Sequence, residues 1–153
     1  MELAKPGEHH LRLARLAGSW RGEDRYQPSP MFPGGGTAQA TVENRMALDG
    51  FALVQDYSHA LEGRTTFSGH GVLRWDPAAA HYVFTWFDSG GGHPVEFRGG
   101  FEGDVLALEA STPQGHMKAT WDLGEPGVYR YVMKVSQDGD QWFPFMQSTC
   151  RKA

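Results

Sequence analysis

The chain has one cysteine, Cys150, among its 153 residues. An intramolecular disulfide is thereby excluded, and so are a CxxC redox pair and a cysteine-based zinc finger. A reducing, cytoplasmic setting is the default expectation. The chain also lacks any run of basic residues. Its 14 Lys and Arg stand against 18 Asp and Glu, a formal net charge of -4. Neither nucleic acid nor an anionic membrane surface is an expected partner. No apolar stretch approaches the length of a membrane span, and Met1 to His10 is too polar for a signal-peptide core. Helical periodicity is scarce as well, so a helix bundle is excluded. At this length one domain, residues 1–153, can bury a real core.

What is abundant is glycine. The 20 glycines compare with roughly 11 at an average usage of about 7%, and a chain with many tight turns would need them. Only Glu8 to Ala17 reads as helix, with Leu11, Leu13, Leu16 and Ala17 at near-helical spacing and Gly18 as a stop. Ten strands follow, at Ser19–Gln27, Thr37–Leu48, Phe51–Ala60, Thr65–Trp75, His81–Asp88, Pro94–Phe101, Val105–Ser111, His116–Asp122, Val128–Val135 and Gln141–Cys150. Turn sequences such as Asp49-Gly50, Glu62-Gly63, Asp76-Pro77 and Glu102-Gly103-Asp104 separate them. Short strands joined by tight turns predict an all-β antiparallel up-and-down meander, and ten of them predict closure into a barrel.

A meander places alternate loops at alternate ends. The helix enters the first strand at one end, the base, and is expected to plug it. The other end, the mouth, then carries Pro28–Gly36, Leu61–Arg64, Ser89–His93, Thr112–Gly115 and Ser136–Asp140. Period-two patterning sorts the faces. Charged residues pointing outward leave Trp20, Gly22, Asp24 and Tyr26 inside, with Phe67, Gly69, Gly71 and Leu73. Phe97, Tyr131 and Met133 follow by the same rule; on the fifth strand, whose alternation is less clear, Tyr82, Phe84, Trp86 and Asp88 share one face, which is assigned inward. Tyr57 joins them on a strand whose alternation is ambiguous. An interior of aromatics, methionine and glycine, with small residues facing large ones, predicts a pocket for an apolar or amphipathic small molecule. The candidate ligand contacts are Tyr26, Tyr57, Trp86, Asp88, Phe97, Tyr131 and Met133, with His93 on the glycine-rich loop above them. The competing expectation is a filled barrel acting as an interaction module.

Catalytic signals are thin. Asp88 precedes Ser89-Gly90-Gly91-Gly92 and reads either as the anchor for a ligand's polar end, as a general base, or as a cap on the glycine turn. Seven histidines are present, with no HxH or HxxxH spacing. His59, His93 and His116 fall at strand ends near the mouth and read chiefly as solvent-exposed loop residues; a metal is not predicted. Gly34-Gly35-Gly36 and Gly90-Gly91-Gly92 are followed by neither a helix nor Lys-Ser/Thr, so they are not phosphate loops. Cys150 reads as a buried thiol. The alternative to simple binding is an enzyme in which Asp88 and a mouth histidine perform acid–base chemistry.

Gly18-Ser19-Trp20 opens the first strand and Arg151-Lys152 ends the last. This resembles the closure signature of calycin barrels, the group that includes lipocalins, fatty-acid-binding proteins and nitrobindin-like heme barrels. The resemblance implies that first and last strands are neighbours, with Trp20 and Arg151 as the closure pair and a cation across the indole. Further stretches, Leu16–Glu23, Leu48–Tyr57, Phe67–Pro77, Tyr82–Ser89 and Thr149–Lys152, resemble a family of bacterial calycin-like domains of unknown function. They cover the chain from end to end and imply the ten-stranded barrel, without an activity. Trp20 within Gly18-x-Trp20-x-Gly22 also resembles nitrobindins, which hold heme through a late histidine. Residues 128–153 contain no histidine, so heme is not the expected cofactor; His93 and His116 are the remaining substitutes. The expected partner is a small hydrophobic or amphipathic molecule, and a homodimer is compatible with the composition.

Overall fold

A computed structural model describes residues 2–30 and 32–153. A short helix, α1 (Glu8–Leu13), runs into a 3-10 turn at Ala14–Leu16. Ten strands follow: β1 (Gly18–Tyr26), β2 (Gly36–Ala47), β3 (Ala52–Leu61), β4 (Arg64–Asp76), β5 (His81–Asp88), β6 (Val95–Glu102), β7 (Val105–Thr112), β8 (Gly115–Asp122), β9 (Val128–Ser136) and β10 (Phe143–Lys152). Every consecutive pair is antiparallel, and β1 also pairs with β10, so the sheet closes into a barrel with no free edge. The strands lie within a residue or two of the expected positions. The helix is shorter than expected because its last turn tightens to 3-10 before Gly18, whose φ of 128° only glycine adopts easily.

The helix plugs the base. Leu13 and Leu16 are fully buried beneath it, and the Leu16 carbonyl accepts hydrogen bonds from Trp20 Nε1 at 2.8 Å and Asn44 Nδ2 at 2.9 Å. Tyr82 donates its hydroxyl to the His9 carbonyl at 2.6 Å, and the His9 ring stacks on Trp75 with centroids 3.7 Å apart. These bonds fasten the plug to β1, β2, β4 and β5 at once.

At the closure seam the structure corrects one assignment. Trp20 pairs across the seam with Lys152, whose Nζ lies 5.4 Å from the indole centroid. Arg151 pairs instead with Arg21, and both are exposed. Strand alternation explains the difference: neighbouring residues point to opposite faces, so only one of Arg151 and Lys152 can share the indole's side.

Two strands carry bulges near the mouth. His59 faces Phe67 while Ala60 faces Thr65, leaving Thr66 as the extra residue on β4. On β10, Pro144 faces Lys134 while Met146 faces Met133, leaving Phe145 unpaired. A bulge re-aims side chains locally. Here Thr66 and Phe67, and likewise Phe145 and Met146, reach the same interior space although they are successive residues.

Candidate functional site

The barrel interior contains a cavity of about 640 Å³ that lies towards the mouth. The base half of the interior is filled by Trp20, Leu53, Leu73 and Leu106 together with the plug residues. The cavity walls are mainly aromatic and thioether side chains, and none of the described lining residues is Lys or Arg. A broader groove, about 1450 Å³, runs along the outside past Ser111, His116 and Asp138. Its lining is more polar than that of the interior cavity, which is almost wholly apolar. The interior cavity is therefore the candidate site.

Seven of the eight expected contacts line it: Tyr26, Tyr57, Trp86, Asp88, Phe97, Tyr131 and Met133. His93 does not. It is exposed on the non-strand segment between β5 and β6 and borders the outer groove. The chain leaves the sheet after Asp88, so strand alternation no longer fixes direction there, and Pro94 cannot donate a ladder hydrogen bond. Asp88 sits at the cavity rim and is exposed. One of its oxygens accepts from Trp86 Nε1 at 2.8 Å and the other from the Gly90 amide at 2.9 Å. Asp88 thus caps its glycine turn and fixes the Trp86 indole.

The glycines expected to create space are seats for rings. A Cβ on Gly69 would fall 2.1 Å from the Trp86 ring, and one on Gly71 would fall 2.2 Å from the Phe84 ring. These two rings occupy the space above the β4 glycines and themselves form part of the cavity wall.

The polar group of the cavity is one that sequence reasoning did not assemble. Asp24 is 1% exposed, and Tyr57 donates its hydroxyl to the Asp24 carboxylate. His59 is 7% exposed, not a solvent-facing loop residue, and its Nδ1 lies 2.9 Å from Tyr26 Oη and 3.3 Å from Tyr57 Oη. His59 Nδ1 and Asp24 Oδ2 are 3.9 Å apart. At the cavity, the carboxylate and the histidine brought close together are Asp24 and His59. Asp88 and a mouth histidine are not so joined. Burial pushes the Asp24 carboxyl above its ordinary range, opposed by its hydrogen bonds from Tyr57 and Ser148. Burial also lowers His59, against the weaker pull of Asp24, so its imidazole is neutral at neutral pH. Burial and the nearby Asp24 charge push the Tyr26 phenol up to about 12 and raise Tyr57 further. The Cys150 thiol also lines the cavity and is raised by burial, which keeps it a neutral thiol.

Residues 5–152 match the family described as "Protein of unknown function (DUF1579)". The chain belongs to that family. No curated protein matches it. Solved structures that share the fold include the following two. Rv2717c from M. tuberculosis is 16% identical with a TM-score of 0.69, covering 96% of this chain and 98% of that one. The S-type phycobiliprotein lyase CPES from Guillardia theta is 10% identical with a TM-score of 0.64, covering 97% and 98%. At these identities the likeness shows the barrel and nothing of the site's chemistry.

Asp24 was legible as an inward residue, because Arg21, Glu23 and Arg25 mark the outer face of β1. His59 was harder. On β3 the four residues Ala52–Gln55 are all buried, so no alternation is visible. The signal available was register: Tyr57 and His59 share parity with Leu53. Among the described lining residues the one histidine is His59, and none is Lys or Arg. Among the described residues no three His, Cys, Asp or Glu side chains gather as metal ligands, and no helix is long and apolar enough to cross a membrane.

Proposed function

We propose that this protein binds an apolar or amphipathic small molecule inside the barrel, between the plug and the mouth. One observation supports the reading above the others. A closed barrel of only 153 residues keeps a cavity of about 640 Å³, although protein interiors normally close-pack and leave few voids larger than a water. That volume falls within the usual range for small-molecule sites, roughly 300–1,000 Å³. The filled-barrel reading is disfavoured by the same fact. Phe32 of the β1–β2 loop and Gly90 of the β5–β6 loop line the cavity, and Phe32 stacks on Tyr26 with centroids 4.3 Å apart. Such loops can move to admit a ligand. Barrels of this fold include a lyase, so fold alone does not decide between binding and reaction. The site supports binding: both phenols at its polar wall are held above their ordinary range, and its thiol is neutral.

The test is a titration with a neutral solvatochromic dye, followed by tryptophan emission. One dye per chain is expected, with quenching that is reduced in Trp86→Phe and reduced further when Trp121, which also lines the cavity, is replaced by Phe as well. Weakened binding is also expected in Asp88→Asn, which loosens the hold on the Trp86 indole. Saturable binding that leaves tryptophan emission untouched would place the dye elsewhere and sink the proposal.

A further inference from the structure

The polar wall of the cavity has a definite sense. The Tyr57 proton is committed to Asp24, and the Tyr26 and Tyr57 oxygens share His59 Nδ1. The Tyr57 hydroxyl therefore has no second proton to donate to a ligand. Behind it stands a carboxylate that is 1% exposed. A buried carboxylate ordinarily has a cationic partner. Here the nearest basic group is His59 at 3.9 Å, and no described lining residue is Lys or Arg. The cavity residues packed around this group are largely aromatic. Tyr26 meets Phe32 and Phe145, and Tyr57 lies 6.1 Å from both Phe67 and Trp86. Aromatic faces carry negative potential and attract cations.

Resting on the reading of the cavity as a binding site, we propose that its ligand is a hydrophobic amine, bound as the ammonium ion. The head lies at the Asp24–Tyr57–His59 wall among the ring faces, and the apolar body runs along Phe97, Tyr131 and Met133. The ammonium supplies the missing counter-charge. A carboxylate or phosphate of the same skeleton would meet a like charge and lone pairs with no cation to offset them, so the site rejects it.

The experiment uses the full chain and a matched set: decylamine, decanol and decanoic acid, each competed against the neutral dye at neutral pH and below its micelle concentration. The amine is expected to displace the dye at a concentration at least about tenfold lower than the acid, with the alcohol between them. Asp24→Asn is expected to narrow the amine-to-alcohol ratio. An acid that competes as well as the amine overturns the proposal, and so does an amine preference that survives intact in Asp24→Asn. If that variant does not fold, the ranking in the wild-type protein decides alone. Dye binding without amine preference refutes this inference and leaves the cavity reading standing. Absence of binding by dye and amine alike refutes both.

Discussion

Asp24 and His59 make opposite contributions to stability as pH changes. Asp24 is an acid raised above 3.8 in the folded chain. Between 3.8 and its raised value the folded chain holds a proton that the unfolded chain has lost, so its contribution falls as pH rises through that window. His59 is lowered below 6.5. Between that lowered value and 6.5 the unfolded chain holds a proton that the folded chain lacks, so stability is lost as pH falls. His59→Gln keeps an acceptor for the Tyr26 hydroxyl and removes the titration. Thermal melts from about pH 8 to about pH 5 should show the wild type losing more stability on acidification than His59→Gln. Parallel curves would mean that His59 titrates freely and is not held within the wall.

At the scale of single elements, three glycines in β4 and β6 carry the interior's shape. Gly69 and Gly71 are covered by flexible-ended rings, Trp86 and Phe84. At Gly99 a Cβ would fall 2.0 Å from the Ala107 carbonyl oxygen, which is backbone of the neighbouring strand β7. Rings can tilt into the cavity; a paired strand cannot withdraw. Gly71→Ala should therefore cost within the usual overpacking range of about 1–3 kcal/mol, and Gly99→Ala should cost more. Denaturant melts giving the reverse order would contradict this account of the packing. These elements also show what the sequence made legible. Alternating charges on β1, β4 and β6 revealed their inner faces. The bulges at Thr66 and Phe145 were not legible, because an extra residue breaks the period that sequence patterning relies on. His59 was missed for a related reason: β3 is buried on both faces near its start, which erases the alternation. The polar wall unites β1 and β3 residues that are 33 positions apart, a juxtaposition that only the register supplies.

For the whole molecule, closure between β1 and β10 turns a meander into a vessel. Trp20 is the seam's principal side chain: it is buried, bonded to the plug and packed edge-on against Tyr129 at 4.7 Å. Trp20→Ala should cost about 3–5 kcal/mol. Lys152→Ala should cost about 0.5–1 kcal/mol, the range of an exposed cation–π contact, and Arg151→Ala should stay within about 0.5 kcal/mol of wild type. A ranking in which Arg151 exceeds Lys152 would contradict the seam as described. The turn signals and the Gly18-Ser19-Trp20 opening made closure legible beforehand; the identity of the cation was not, since it depends on one residue of register.

The central claim is that the interior cavity, not the outer groove, takes the ligand. Met133 lines the cavity from β9 and is not among the residues bordering the outer groove, and Met133→Trp puts an indole into that space. Calorimetric titration of the neutral dye into wild type and Met133→Trp, with a melt to show that the variant is folded, tests the claim most directly. The account predicts one dye per wild-type chain and at least about a tenfold loss of affinity in the folded variant. Equal affinity in the two proteins would place binding outside the barrel and contradict it.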